Sequence, residues 1–337
     1  MTPRPLVVAV DGGNSKTDVW VADTDGTVLA TVRGPGFRPY RDGDGALDAL
    51  TATLRRALDT AGSGDGPAGA LVACLANVDL PEDETRTHAA LVRLGLADRV
   101  EVHNDTFALL RAGAADGWGV AIVCGAGINC AGVAPDGREV RFPALGELTG
   151  DWGGGGQLAR EALWSAVRAE DGRGPATALA AAVAAHFGCA TATEVGVAMY
   201  RGALADERMH ELPPLLMRLA GDGDAVARAV VERLAEEIAV LGTATLRRLG
   251  LLDVPAEVVL GGGVLTARDP GLLAAVERGY AASAPHARLV VVDVSPVLGA
   301  ALRGLDLLNA APSAHDRLRA AAHLRRTGLP RSHGARP

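Results

Sequence analysis

The chain is poor in aromatic side chains and has no excess of basic ones, and these shortages exclude nucleic-acid binding. Among 337 residues there are four Phe, four Trp and three Tyr, which is too few for a platform on which single-stranded bases stack. The formal charge is −7, with acidic and basic residues mixed along the sequence, so no basic stripe is available for phosphate contacts. We therefore expect no nucleic-acid partner.

Cysteines and long apolar runs are also scarce. The four cysteines form no C-x-x-C pair and have no histidine nearby at metal-ligand spacing, which predicts reduced thiols rather than disulfides or a zinc site. The N-terminal apolar run, Leu6–Val10, is shorter than that of a signal peptide, and no run approaches the roughly 18 residues of a membrane span. We expect a cytoplasmic protein with no membrane partner.

Short strands and helices alternate through the first part of the chain, and the pattern then begins again. A strand, a glycine-rich turn, a second strand and an Asp-Gly hairpin at 25–26 open the sequence. The same succession returns at about residue 119, and its Asp-Gly hairpin lies 111 residues after the first. We interpret this as an internal duplication. A chance similarity between two glycine-rich hairpins is the alternative.

The duplication predicts an α/β protein with two lobes and a short C-terminal extension. We assign the first lobe to residues 1–115 and the second to 116–310, with a helical insertion over about 154–250. Residues 311–337 are predicted to be a basic, solvated tail that contains one helix around Ala314–Arg325.

Three glycine-rich turns each follow a short apolar strand. Glycine lets main-chain N–H groups approach a phosphate with no Cβ in the way, so three such turns in two halves favour a nucleotide held between the halves. The first turn does not match the P-loop pattern, and a strand rather than a helix follows it. The predicted nucleotide-binding residues are Gly12, Gly13, Asn14, Ser15, Lys16, Thr17, Gly125, Ala126, Gly127, Gly262 and Gly263.

The first of these turns carries an acidic residue and several donors. Asp11 ends the first strand, where a carboxylate can hold a hydrated Mg²⁺ ion, which needs few protein ligands. Ser15, Lys16 and Thr17 supply donors to phosphate oxygens. Since the other 32 basic residues are arginine, the single lysine indicates a point charge on phosphate. A solvated turn lysine is the alternative.

A second acidic residue follows another predicted strand. His103-Asn104-Asp105 closes that strand and begins a helix just before the second half starts. In phosphoryl transfer, a carboxylate in this place can orient and deprotonate the attacking hydroxyl. The alternative is that Asp105 serves the dipole of its helix and nothing else.

The segment 145–157 is unusually rich in glycine. Its polar residues Glu147, Thr149 and Asp151 are suited to a polyhydroxylated ligand. A helix predicted to begin near Gln157 would present free N–H groups to that ligand. A mobile linker between the lobes is the alternative interpretation.

Five motifs together carry a family resemblance. The two phosphate turns resemble the phosphate motifs of the actin-type ATPase superfamily, which contains sugar kinases, hexokinase and the heat-shock chaperone ATPases. Within it, the chain is similar to the N-acetylglucosamine kinase group, also called the BadF-type ATPase family, over about residues 6–308. The matching segments are Asp11–Thr17, Asn104-Asp105, Val123–Asn129, Val258–Leu265 and Pro296–Gly304.

The resemblance implies two lobes of ribonuclease-H-like topology that close over a sugar, with ATP and Mg²⁺ between them. It implies that Asp105 is the catalytic base for the sugar 6-hydroxyl, and that Gly262 and Gly263 pack against adenine and ribose. It also implies that Asn129 and Asp151 hold the sugar. Together with the polar residues of the two segments described above, the predicted substrate-binding residues are Asn104, Asp105, Asn129, Glu147, Thr149, Gly150 and Asp151.

Two departures from the family pattern bear on the substrate. The family continues its Gly-Asp pair with Glu-Gly-Ser, whereas here Trp152 and four glycines follow Asp151. The loop at 34–40 lacks the asparagine that helps relatives to hold an N-acetyl group. Glu147 and Asp151 could instead pair with the ammonium of a free amino sugar, and the chain most resembles the actinobacterial glucosamine kinases. We expect glucosamine as the substrate and a monomer or homodimer. The alternatives are an N-acetylglucosamine kinase and an ATPase that activates a partner enzyme.

Overall fold

Two five-stranded sheets organise the chain, one in each of two units. The computed structural model describes residues 5–64 and 66–328. Unit 1 comprises the described residues within Met1–Trp118 and Val292–Pro337, and unit 2 is Gly119–Val291. The predicted partition differs at its second boundary, because it gave residues up to 310 to the second lobe.

The elements follow one another in three stretches. The first stretch contains β1 (Leu6–Gly12), β2 (Lys16–Asp23), β3 (Val28–Pro35), α1 (Pro39–Asp42), α2 (Asp44–Ala61), β4 (Ala68–Leu75), α3 (Pro81–Arg93), β5 (Ala97–Asn104) and α4 (Asp105–Gly113). Unit 2 contains β6 (Gly119–Cys124), β7 (Ile128–Val133), β8 (Glu139–Arg141), α5 (Gly154–Glu170), α6 (Leu179–Phe187), α7 (Ala192–Tyr200), α8 (Leu212–Gly221), α9 (Ala225–Leu249), β9 (Glu257–Gly261), α10 (Gly263–Thr266), α11 (Pro270–Ser283) and β10 (Arg288–Val291). The chain then returns to unit 1 with α12 (Val297–Leu307) and α13 (Pro312–Gly328).

The sheet of unit 1 has the order β3-β2-β1-β4-β5. The hairpin strands β1, β2 and β3 are antiparallel, and β1, β4 and β5 are parallel. Side chains alternate across β1: Val8 and Val10 belong to the core under α2, whereas Val7 and Ala9 face the core formed with α12. The second core explains why the C-terminal helices cluster with unit 1.

Unit 2 repeats this arrangement. Its sheet has the order β10-β9-β6-β7-β8, with β6, β7 and β8 antiparallel and β6, β9 and β10 parallel. The common strand order supports the duplication inferred from the sequence. The helices α5 to α9 lie between β8 and β9 in the chain, close to the predicted insertion.

The C-terminal segment is a packed helix over its described part. Ala314, Leu318 and Ala322 are buried in the core with α12, and the Arg319 guanidinium donates to the carbonyl of Ala112 at 3.0 Å. The predicted helix is therefore present, but its solvated character is wrong for this part of the chain. The rest of the predicted tail, 329–337, lies outside the described residues.

Membrane-spanning potential is low in the described helices. No single one combines the length and the apolarity of a span, and α6 and α7 reach that threshold as a pair bent by 48°.

Candidate functional site

In unit 1, three parallel strands end at one edge of the sheet. The register pairs Gly12 of β1 with Leu75 of β4, and Leu75 with Asn104 of β5. The turn after β1, the turn after β4 and the start of α4 therefore meet there. We call this the acidic edge, because it carries Asp11, the loop residue Asp79 and Asp105.

Asp11 lies at the end of β1 and is half-buried. Burial is the main cause that raises the pKa of its carboxyl to about 7, the negative charges of Asp105 and Asp18 add to the rise, and Lys16 opposes it. The cost of ionising Asp11 falls when a cation is close, and a carboxylate with two further acidic residues nearby fits a hydrated Mg²⁺. Among the described residues, no group of three His, Cys, Asp or Glu side chains could hold a metal by itself, so most ligands of such an ion would be water or phosphate oxygens.

Asp105 is the first residue of α4 and is also half-buried. Burial raises the pKa of its carboxyl to about 6, and the backbone N–H groups of Thr106 and Asp105 oppose the rise. At pH 7 the carboxylate is largely ionised, yet it is a stronger base than an exposed aspartate. Both properties suit a general base.

Asn104 caps the helix that carries Asp105. Its Oδ1 accepts from the N–H of Thr106 at 3.0 Å and from the Thr106 hydroxyl at 2.7 Å, and its Nδ2 donates to Asp79 Oδ1 at 2.8 Å. Its exposed fraction is 3%. The structure thus gives Asn104 a capping role, and its predicted contact with substrate remains a prediction.

The first phosphate turn is three residues long, from Gly13 to Ser15, and Gly13 N–H donates to the carbonyl of Lys16 at 2.9 Å. Asn14 and Ser15 are exposed, as expected of ligand donors. Lys16 is paired, with Nζ 3.0 Å from Asp18 Oδ2, and half of its side chain is exposed. Thr17 is buried inside β2, so its hydroxyl is less accessible than predicted.

The loop after β3 packs on this turn. A Cβ on Gly36 would lie 2.2 Å from the carbonyl oxygen of Asn14, and Phe37 N–H donates to the carbonyl of Gly13 at 2.9 Å. The loop in which the family asparagine is missing therefore touches the phosphate turn directly.

The turn that follows β4, residues 76–80, was missed by the sequence analysis. It carries Asn77, whose φ of +63° lies in the left-handed region that asparagine tolerates, and it carries Asp79. The available signal was an Asn-Val-Asp-Leu-Pro segment between a buried strand and a helix, which is typical of a functional turn.

In unit 2, the predicted glycine turn is held by the start of a helix. The turn 125–127 joins β6 to β7, and the N–H groups of Gly155 and Gly156 donate to the carbonyls of Gly125 and Ala126 at 2.7 and 2.9 Å. A Cβ on Gly154 would lie 2.4 Å from Gly127 Cα. The prediction of a helix that begins near residue 157 with free N–H groups is therefore wrong, because α5 begins at Gly154 and two of its first N–H groups bind the turn.

The third glycine turn reaches the same edge of the second sheet. Gly262 has a φ of +84°, and a Cβ there would lie 2.4 Å from the carbonyl carbon and oxygen of Cys124. Because β6 and β9 are parallel, both of their ends lie at this edge, together with the start of α5. We call it the glycine edge, defined by residues 125–127, 153–156 and 261–263.

The predicted sugar-binding residues of unit 2 lie on two elements. Asn129 belongs to β7, and its Oδ1 accepts from Cys130 N–H at 2.7 Å. Glu147, Thr149 and Gly150 are exposed on or next to the single helical turn 146–149. Asp151 accepts from the Thr149 hydroxyl at 2.6 Å, so those two side chains act as one polar group.

Trp152 and Gln157 anchor this segment. The Trp152 ring is 7% exposed and is covered by the Arg233 guanidinium, 4.0 Å from its centroid. The Gln157 side chain bonds to Arg160 and Glu161 of its own helix. An open groove of about 500 Å³ between α9 and α11 is lined by none of the predicted site residues.

Comparisons with known proteins agree with this architecture. The chain is 24% identical over 260 residues to an N-acetylmuramic acid/N-acetylglucosamine kinase of Clostridium acetobutylicum, covering 77% of this chain and 85% of the relative. It is 23% identical over 316 residues to an N-acetyl-D-glucosamine kinase of Dictyostelium discoideum, covering 90% and 98%.

Solved structures share the fold. A protein of Chromobacterium violaceum, provisionally described as an N-acetylglucosamine kinase, superposes with a TM-score of 0.68 at 23% identity, covering 90% of this chain and 99% of that one. A ROK-family glucokinase of Streptomyces griseus, determined with glucose and AMPPNP, gives a TM-score of 0.55 at 18% identity, with coverage of 90% and 98%.

These structures place the chain among two-domain, actin-like sugar kinase folds. A family model matches residues 8–304, which include both sheets and the acidic and glycine edges. The chain belongs to the BadF/BadG/BcrA/BcrD ATPase family.

Proposed function

We propose that this protein is an ATP-dependent kinase that phosphorylates an amino sugar at its 6-hydroxyl, with glucosamine as the preferred substrate and glucosamine 6-phosphate as the product. The observation that carries the proposal is Asp105: a half-buried carboxylate at the start of a helix, with its pKa raised to about 6, at the same edge as Asp11. Relatives named as amino-sugar kinases support the substrate class.

Asp105 takes the proton from the 6-hydroxyl as that oxygen attacks the γ-phosphorus of ATP, the bond from the γ-phosphorus to the β–γ bridging oxygen breaks, and ADP leaves. General-base catalysis of this kind contributes about 10²–10⁴-fold. Asp11 would hold Mg²⁺ through water, and a bound Mg²⁺ neutralises phosphate charge. The exposed Asn14 and Ser15 are placed to donate to phosphate oxygens.

Unit 2 contributes the glycine edge to the nucleotide. Close backbone approach at Gly125, Ala126 and Gly127 suits phosphate, and Gly262 with Gly263 suits the nucleoside. With no Cβ at most of these positions, the backbone itself forms the binding surface.

The preference for glucosamine rests on charge. Asp151 and Glu147 lie within one short turn, and a carboxylate binds an ammonium by a charge-assisted hydrogen bond. Thr149, Gly150 and Asn129 complete the proposed sugar-binding set in unit 2, and Asn104 completes it in unit 1.

The test is ADP release with Mg²⁺-ATP over glucosamine, N-acetylglucosamine, glucose, mannosamine and N-acetylmuramic acid, with the product mass confirmed. We expect the highest kcat/KM with glucosamine, and a fall in that preference in E147Q and D151N. Preference for N-acetylglucosamine would refute the charge argument and leave an amino-sugar kinase.

Absence of sugar-dependent turnover would instead favour an ATPase that activates a partner enzyme. In relatives of that kind, cysteines hold an iron–sulfur cluster between subunits. Here Cys74, Cys124 and Cys130 are buried in the two cores, and burial raises the pKa of each thiol to about 12. Their position favours the kinase.

A further inference from the structure

We propose that the turn after β4, residues 76–80, sets the distance between the phosphate turn and the catalytic base, with Asn77 and Asp79 as its two positioning residues. We call it the bridging turn. The inference deepens the proposed function and rests on it for the identity of the reacting groups.

One end of the bridging turn is fixed to the phosphate turn. Ala76 N–H donates to the carbonyl of Gly12 at 2.7 Å. The Asn77 amide donates to Asn14 Oδ1 and to the Phe37 carbonyl, both at 3.0 Å. A single side chain therefore connects the phosphate turn to the loop that follows β3.

The other end is fixed to the base. Asp79 Oδ1 accepts from Asn104 Nδ2 at 2.8 Å, and Asn104 in turn caps α4 through Thr106. This bond determines which way the Asn104 amide faces, because its oxygen must point at the helix while its nitrogen points at Asp79. The first residue of that helix is Asp105, so Asp79 acts on the base through Asn104.

Asn77 and Asp79 lie two residues apart on a short turn, so neither end of the turn can shift without moving the other. In an in-line transfer, a displacement of about 1 Å between the reacting groups costs on the order of 100-fold in rate. The hydrogen bonds of the bridging turn resist such a displacement. Asn77 is expected to act on nucleotide affinity, and Asp79 on the turnover of the acceptor.

Four variants test the end of the bridging turn that is fixed to the base. D79A removes the bond to Asn104, and kcat should fall about 10- to 100-fold, with the KM for ATP within about twofold of wild type. D79N keeps an amide oxygen that accepts from Asn104 and should stay within about threefold of wild type. N104D places a second carboxylate against that of Asp79, and the repulsion should lower kcat as far as D79A does. The reciprocal pair D79N/N104D restores one donor and one acceptor, and should recover at least about tenfold over N104D.

Two variants test the nucleotide side. N77G removes the side chain while glycine keeps the φ of +63° without strain, so the turn is preserved. Its Kd for Mg²⁺-ATP, measured by calorimetry, should rise about tenfold through the loss of two hydrogen bonds. N77D replaces a donor of two hydrogen bonds by an acceptor, so its Kd for Mg²⁺-ATP should rise further. All variants should melt within a few degrees of wild type.

The proposal is overturned if D79N is as impaired as D79A, if the reciprocal pair recovers nothing, or if N77G leaves nucleotide affinity unchanged. A failure of the proposed function is seen separately, as no sugar-dependent turnover by wild type. In that case the hydrogen-exchange rate of the Thr106 amide still tests the link between Asp79 and the start of α4. The rate should increase in D79A and not in D79N.

Discussion

The two units share one strand order and use its edge in opposite ways. At the acidic edge of unit 1, side chains make the connections: Asp79 bonds to Asn104, and Asn77 bonds to Asn14. At the glycine edge of unit 2, backbone packs on backbone, with Gly154 against Gly127 and Gly262 against Cys124.

The difference shows how one topology can serve two chemical needs. The proposed base of unit 1 is a carboxylate whose orientation must be controlled, and Asp79 accepts a hydrogen bond from Asn104, which caps the helix that begins at Asp105. The proposed nucleotide-binding edge of unit 2 is rich in glycine, which lets main-chain groups approach a phosphate closely. Two kinds of substitution test this difference: one removes a charge from the acidic edge, and the other adds a Cβ to the glycine edge.

The largest effect is expected from Asp105→Asn. The amide cannot accept the hydroxyl proton, so kcat should fall by about 10²–10⁴-fold. Affinity for Mg²⁺-ATP, measured by calorimetry, should change little. Wild-type-like turnover would remove Asp105 from the role of base.

Next in size is Gly154→Ala, which should destabilise the fold by about 2–5 kcal/mol. The added Cβ meets the Gly127 backbone at 2.4 Å, and the residue has a φ of +82°. The matched control is Gly155→Ala, where the nearest contact is an ordinary 3.4 Å and φ is helical. Denaturant unfolding followed by circular dichroism compares the two; equal stability would contradict the close packing of the glycine edge.

The pH profile should show a smaller, graded effect. Since burial raises the pKa of Asp105 to about 6, the base is active when deprotonated and is lost as the pH falls. kcat/KM should be constant above about pH 7 and decline through pH 6, reaching about one tenth at pH 5. A profile flat down to pH 4.5 would mean that an ordinary aspartate, or another group, controls the reaction.

The smallest effects are expected when one ion pair is removed from each unit. Arg33 donates to the buried Asp18 through two nitrogens, at 2.6 and 3.1 Å, and this pairing holds the pKa of Asp18 below its usual range despite burial. Arg33→Ala should cost about 1 kcal/mol, since Lys16 still pairs with the carboxylate. Arg138→Ala removes an exposed pair with Asp136 and one hydrogen bond to the carbonyl of Leu249, and should lower the free energy of unfolding by less than Arg33→Ala does in the same assay.

Much of the architecture could be predicted because local signals and tertiary packing agree. The apolar strands, the Asp-Gly hairpins and the helical insertion predicted over about 154–250, where the structure has α5 to α9, follow from periodicity and turn chemistry. The start of α5 could not be placed, because a run of four glycines has weak helix propensity and is drawn into the helix by the bonds of Gly155 and Gly156 to the turn.

The remaining features could not be predicted, because they depend on contacts between residues far apart in the sequence. That α12 belongs to unit 1 depends on contacts between residues nearly 300 positions apart, such as Gly304 with Val7, which no local pattern encodes. Asn77 and Asp79 escaped notice for the same reason: their partners are 63 and 25 residues away.

The return of α12 and α13 to the first sheet has a consequence for synthesis on the ribosome. Unit 2 is one uninterrupted stretch, Gly119–Val291, so it can complete its core as soon as it leaves the exit tunnel. Unit 1 emerges first, yet the core on one face of β1 and β4 stays incomplete until Leu298, Leu302 and Leu305 arrive. The half of the protein that carries the proposed base is thus the last to be finished. A nascent chain that has left the tunnel only as far as residue 296 would contain a complete second unit and an incomplete first one.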